Sequence, residues 1–357
     1  MIQKVAVPED SGENAARMIP TNPAFRQFPA ASPAWQRALA QAFSRPAELL
    51  AWLELPPDHA ALARDAARDF PLRVPRSYAA RMEKGNPEDP LFLQVWARPE
   101  EALDTAGYTD DAVGDLARLK SGGIIHKYEG RALVVATGAC AVHCRYCFRR
   151  HFPYADALAS RDHWQDTLRE LAADRSIREV ILSGGDPLSL ADEKLAAFAE
   201  ALEFIPHVQR LRIHTRLPIV LPERVDDALL AWLRRGRLRK VMVVHANHAN
   251  ELDAEVAAAL ARLRAAGLVL LNQSVLLSGV NNATGALVRL SERLFECGVM
   301  PYYLHMLDPV RGTAHFNVPE SQARALQRAA AARLPGYLVP RLVREEAGAP
   351  SKTPLGW

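Results

Sequence analysis

Cysteine is scarce in this chain: 357 residues carry four, three between positions 140 and 147 and the last at Cys297. So uneven a set makes a poor disulfide framework, which argues against a disulfide-stapled fold and points the cluster toward metal or catalysis. Charge asymmetry is lacking too. The 44 basic and 41 acidic side chains leave +3, a field too weak to argue for a nucleic-acid or membrane-surface partner, so any anion site must be local. No apolar run approaches the ~18 residues of a membrane span, and the opening MIQKVAVPEDSGEN has no apolar signal-peptide core. The expectation is a cytoplasmic protein that binds neither nucleic acid nor membrane. What is plentiful is apolar side chain, 49% of the total, enough for one large core or two moderate ones.

Residues 1–32 are polar and proline-containing and read as a loose arm. Over 33–123, WQRALAQAF, AELLAWLEL and ALARDAARDF space apolar residues as helices do, giving an N-terminal helical region. Over 124–335, β-rich runs alternate with amphipathic ones: ALVVATG, EVILSGG, LRIHTR, VMVVHANH, LVLLNQSVL and VMPYYLHML. Helical stripes fall between them, such as Trp164, Leu168 and Leu171, or Val256, Leu260 and Leu263 closed by Gly267. Six β–α units in succession imply an α/β fold with a parallel sheet, since each crossover returns the chain to start the next strand in the same direction. Residues 336–357 form a short C-terminal segment. A polar cluster follows each strand: CAVHCRYC, GGDP, HTR, HANHANE, NQS and HMLD. Loops are polar anyway, but six in a row at converging strand ends favour a site on the C-terminal face of a barrel.

CxxxCxxC supplies three thiolates, one short of a closed tetrahedral zinc site. His143, His151 or Cys297 could provide the fourth ligand. The alternative is a [4Fe–4S] cluster held by three thiolates with one iron open. General spacing rules leave both readings standing.

Cys140, Cys144, Tyr146 and Cys147 together resemble the signature of the radical S-adenosylmethionine (SAM) enzymes, in which the open iron chelates SAM and an electron from the cluster releases a 5′-deoxyadenosyl radical. SGGDP, Ser183 to Pro187, is similar to that family's second-strand motif, with Ser183, Gly184, Gly185 and Asp186 placed toward the SAM methionyl amine. The segments IIHKYEGRALVV, CRYCFRRHF, ILSGGDPL, LRIHTRLPIVLPERV, HANHANEL, LNQSVLLSGVN and PYYLHMLDPVRGTAHF narrow the resemblance to lysine 2,3-aminomutases. That family uses SAM as radical source and pyridoxal 5′-phosphate (PLP) to hold the substrate amine while it migrates from C2 to C3. The resemblance implies a partial parallel (β/α)6 barrel with an N-terminal helical region and a short C-terminal PLP-binding segment.

Residue roles follow from matching positions. Cys140, Cys144 and Cys147 match the cluster ligands, and Lys352 in GAPSKTPL the PLP lysine. Lys127 and Arg131 match a basic pair on the PLP phosphate, the first an arginine in the better-known members. His245 and Gln273 match SAM contacts, and Arg149 the partner of the substrate α-carboxylate. Asp308 matches one of two aspartates on the lysine ε-ammonium. The second position, seven residues before Lys352, is Glu345, a carboxylate one methylene longer. The chain ends soon after Lys352, without the zinc-binding extension of the catabolic enzymes. In this it resembles the shorter branch that makes (R)-β-lysine for translation elongation factor P. The implied partners are free L-lysine and an electron donor such as flavodoxin or ferredoxin, with an indirect link to elongation factor P and its β-lysine ligase; a homo-oligomer is allowed. Two rivals stand beside this reading: a radical SAM methylase or protein-modifying enzyme without PLP, and a zinc-stabilised binding protein.

Overall fold

The computed structural model describes residues 32–59, 64–157 and 164–356. The expected loose arm over 1–32 lies outside the described residues except for Ser32. Four short helices follow: α1 (Ala34–Ala40), α2 (Pro46–Trp52), α3 (Arg64–Asp69) and α4 (Arg76–Ala79). Trp35, Leu49 and Leu50 point into the core, and Pro46 at the first helical position of α2 has its φ already set for a helix.

The strands are β1 (Leu119–Lys120), β2 (Ile124–Tyr128), β3 (Arg131–Thr137), β4 (Glu179–Gly184), β5 (Arg210–Thr215), β6 (Arg239–Val244), β7 (Val269–Val275), β8 (Met300–His305), β9 (Arg341–Arg344) and β10 (Thr353–Pro354). They form one open sheet in chain order. β3 to β9 run parallel throughout, with β1 and β2 antiparallel at one edge and β10 antiparallel at the other. The helices between parallel strands are α5 (Tyr154–Ala157), α6 (Trp164–Ala173), α7 (Asp192–Glu203), α8 (Leu217–Val220), α9 (Asp227–Leu233), α10 (Ala254–Ala265), α11 (Thr284–Glu296) and α12 (Glu320–Ala331). Asp226 and Asp253 cap α9 and α10 by accepting from Leu229 N and Val256 N. Gly267 follows the end of α10 with φ +88°, the left-handed turn its place in the sequence demands.

The expected parallel barrel is present, open rather than closed, and one strand longer than the six expected. The seventh, β9, comes from RLVR in the C-terminal segment. Four residues with only Leu342 and Val343 buried are too few for a periodic signal.

Strand alternation separates two faces. In β5, Leu211 and Ile213 pack into the main core with the helices, while Arg210, Arg212 and His214 take the alternate positions. The polar face and the strand ends beyond it carry the site. Among the described residues, no helix is long and apolar enough to cross a membrane.

Candidate active site

The cysteine loop leaves the end of β3 and is clamped by the N-terminal helical region. The buried Arg145 donates through Nε to Glu101 Oε1 at 2.9 Å and through NH1 to Phe70 O. Arg150 donates to the same carboxylate at 2.8 Å and to Gly312 O at 3.0 Å. Glu101 is itself buried, so two guanidiniums are needed to balance its desolvation. These ties fix the loop that carries Cys140, Cys144 and Cys147, all free and half-buried. Burial, helped by the neighbouring Cys144, pushes the Cys147 thiol up to about 11, and burial raises Cys140 as well. Loading a metal centre would therefore release protons. Among the described residues, no three Cys, His, Asp or Glu side chains converge tightly enough to enclose a single metal ion; thiolates bound to separate corners of a four-iron cluster need not converge in that way.

The proposed fourth ligands are engaged elsewhere. His143 Nδ1 lies 2.7 Å from Pro71 O, its ring stacked on Phe70, and burial lowers its pKa to about 4. His151 Nε2 lies 3.2 Å from Arg311 O. Cys297 is buried in the core after α11. What does touch the loop's sulfur is Arg216, whose NH1 donates to Cys144 Sγ at 2.8 Å. Its NH2 is held by Glu251, Gln94 and Tyr78 at 2.9, 2.7 and 3.1 Å.

The β4 end is closely packed. Gly184 has φ +114°, and a Cβ there would come 2.6 Å from Thr137 O; at Gly185 it would come 2.5 Å from Ala139 O. The glycines thus admit the backbone that leads into Cys140. Gly185→Ala is expected to cost about 2–3 kcal/mol by forcing this backbone apart, read as a lower Tm together with a lower iron content after reconstitution. Asp186 is engaged within the fold. Its Oδ1 accepts from Leu188 N and Thr215 Oγ1 at 3.1 and 2.7 Å, and its Oδ2 from Arg216 N and Leu217 N at 2.7 and 3.1 Å. Four donors use the carboxylate's capacity, so it welds the end of β4 to that of β5.

On the polar face, buried nitrogens lack partners: Nε2 of His214, His245, Gln273 and His305, at the ends of β5 to β8. Burial keeps the three imidazoles neutral, lowering His245 to about 4 and holding His214 and His305 well below the usual imidazole range. Unpaired buried polar atoms are costly, and four lining one face fit a polar ligand such as SAM with PLP. His214 and His305 were visible only as members of strand-end clusters.

Lys352 lies opposite this group. The β9–β10 hairpin pairs Thr353 with Arg344, and the next step of the same register sets Lys352 across from Glu345. This explains the seven-residue spacing. Lys352 Nζ donates to Glu345 Oε2 at 2.6 Å, with Nζ 5.9 Å from the Tyr303 ring centre. Glu345 Oε1 accepts from Tyr128 at 2.5 Å and lies 3.6 Å from Lys127 Nζ. Burial opposes its ionisation, but Lys352, Tyr128 and Lys127 outweigh that and hold it below the usual carboxylate range. Lys127 also donates to Val113 O at 2.7 Å and lies 2.5 Å from Asp115 Oδ1, so two of its three donors are engaged. Arg131 stacks at 4.6 Å on Tyr128 with no carboxylate partner among the described residues. Arg149 is buried, donating through Nε to Asp115 Oδ2 at 2.7 Å and through NH1 to Ser183 Oγ at 3.1 Å. The Asp308 carboxyl has no hydrogen-bond partner among the described residues, and burial raises its pKa to about 7 against the pull of Lys352. Asp115, in DDAVGD, was not among the residues the sequence pointed to.

Comparison with known proteins completes the picture. Residues 134–290 match the radical SAM superfamily model. The L-lysine 2,3-aminomutase of Escherichia coli (strain K12) is 48% identical over 90% of this chain and 94% of its own length. The chain belongs to the lysine 2,3-aminomutase family. The Haemophilus influenzae L-lysine 2,3-aminomutase is 45% identical over 94% of this chain and 98% of its own, while that of Acetoanaerobium sticklandii is 30% identical over 86% and 74%. As a radical SAM isomerase family, the aminomutases account for the three-cysteine loop without a fourth protein ligand. They leave no place for the zinc-stabilised binding protein.

Proposed function

We propose that the chain converts L-lysine to (R)-β-lysine, using a [4Fe–4S] cluster, SAM and PLP. The observation that carries this reading is the charge order across one buried site: a cation at Arg149, an unpartnered carboxyl at Asp308 and an ammonium, Lys352, already seated on Glu345. That arrangement suits an amino acid with a distal ammonium. Bound, the cluster with SAM supplies a carbon-centred radical and PLP a π-system through which nitrogen migrates.

The chain's own residues bind and orient. Cys140, Cys144 and Cys147 would hold the cluster, His245 and Gln273 would offer unpaired Nε2 atoms to SAM, and Lys352 would hold PLP through Nζ. Arg131, free of carboxylates, would take the phosphate, with Lys127 contributing charge beside it. Arg149 would grip the α-carboxylate, and Asp308 with Glu345 the ε-ammonium, so that both ends fix the reacting carbons. The branch assignment extends this to β-lysine made for elongation factor P through a partner ligase, with reduction by a donor such as flavodoxin or ferredoxin. Anaerobic reconstitution with iron, sulfide and PLP, then SAM, dithionite and L-lysine, should yield (R)-β-lysine. No product from protein with intact cluster and bound PLP would refute the assignment.

Asp308 adds a pH test. Its raised pKa means the carboxyl is protonated below about 7 and cannot pair with an ammonium. kcat/KM for lysine is expected to fall toward about tenfold per pH unit on the acid side, and Asp308→Asn to flatten that limb. An acid limb unchanged in the variant would remove Asp308 from ammonium recognition.

A further inference from the structure

We propose that Asp115 is a positioning residue shared by the two anion-binding cations of the site, aiming Arg149 at the substrate carboxylate and holding Lys127 beside the PLP phosphate. The inference rests on the roles just given to Arg149 and Lys127. Asp115 is 2% exposed, and its two oxygens are divided between the two cations, Oδ1 at 2.5 Å from Lys127 Nζ and Oδ2 at 2.7 Å from Arg149 Nε. A carboxylate that merely stood in for substrate would take the paired terminal nitrogens of the guanidinium. Asp115 takes Nε instead, Ser183 takes NH1, and NH2 has no hydrogen-bond partner among the described residues. The centre of the Phe148 ring lies 4.7 Å from the guanidinium carbon. Three contacts therefore fix the plane and leave one donor corner open, removing rotamer freedom that substrate binding would otherwise have to remove.

Asp115 can do this because its own segment is pinned. Asp111 accepts from Asp115 N and Leu116 N at 2.8 and 3.0 Å. Thr109 N donates to Pro309 O and Thr109 O accepts from Arg311 N, both at 3.0 Å, which ties the segment to the loop carrying Asp308. Gly114, at φ +65°, lets the backbone approach Ala347, where a Cβ would lie 3.1 Å from the alanine methyl. Ala347 sits between Glu345 and Lys352. One segment thus touches the ammonium end, the PLP end and the carboxylate end of the site, and Asp115 is where the last two meet. An isosteric amide cannot accept from both cations, because its nitrogen must face one of them.

The test is Asp115→Asn in full-length, cluster-reconstituted protein. PLP dissociation, titrated by absorbance on PLP-free protein, is expected to weaken about tenfold, and KM for lysine to rise about tenfold with kcat within about threefold. Iron content should match the parent. Arg149→Lys alone should raise KM; if it does not, the reading of Arg149 has failed, independently of Asp115. In the Arg149→Lys background, Asp115→Asn should add less than about twofold to KM while still weakening PLP. KM and PLP affinity within about twofold of the parent, or a fall in KM showing Asp115 to be a competitor of substrate, would overturn the proposal. Should Asp115→Asn not take up iron, Asp115→Glu carries the same test: it keeps the charge but moves both oxygens, and the same KM and PLP changes are expected at smaller size.

Discussion

Lys352→Ala is expected to abolish turnover of lysine, by at least about a thousandfold in kcat/KM, and to leave PLP bound only reversibly, while the iron content stays that of the parent. The separation follows from where the groups lie. Lys352 is carried by the β9–β10 hairpin, and the cysteines by the loop after β3. The two share no side-chain hydrogen bond. The substitution also strips Glu345 of the ammonium 2.6 Å away, leaving Lys127 and Tyr128 as its partners. Burial then has less opposition, so the Glu345 carboxyl should move up in pKa. The measurement is visible absorbance after gel filtration with PLP, set beside iron analysis and product formation. A variant that keeps a stable PLP chromophore would transfer that role to another amine, and retained activity without PLP would favour the rival radical SAM reading.

Cys144→Ala is the complementary case. With two thiolates in place of three, the cluster should fail to assemble: iron after reconstitution is expected to fall to a small fraction of the parent, with turnover below detection. Cys144 is the most exacting of the three to remove, because its sulfur is also the acceptor for Arg216 NH1 at 2.8 Å. That guanidinium is buried, and without the sulfur it is left against Glu251, Gln94 and Tyr78 alone. PLP binding through Lys352 should survive. Iron analysis and low-temperature paramagnetic resonance of the reduced protein decide the point, and parent-level iron with turnover would show that Cys144 is no ligand.

The cysteine cluster was legible before any fold was known, and the reason is local. CxxxCxxC lies within eight residues, and the strand-end clusters sit at fixed places in a repeating β–α pattern. Lys352 is a different kind of case. A lysine near a chain end reads as a solvated charge, and only the likeness of its surroundings to a known family marked it. Its partner seven residues earlier then acquired a cause from the hairpin register.

Other features depended on contacts that no window of sequence spans. Asp115 meets Arg149 across 34 positions, and Tyr128 meets Glu345 across 217. Asp186 accepts from the turn after β5, whose backbone donors arrive from about thirty residues away. Gly184 and Gly185 admit backbone at and just beyond the end of β3.

By itself, then, the amino-acid order determined an α/β chain with a parallel sheet, a three-thiolate loop at one strand end and a line of polar clusters at the others. Periodicity and short motifs are properties of neighbouring residues. Only the tertiary structure decided that β9 adds a seventh parallel strand, that Asp186 serves the fold, and that one buried carboxylate, Asp115, joins two cations. A buried charge must be balanced by whatever the fold brings against it, and the partners come from wherever the chain returns.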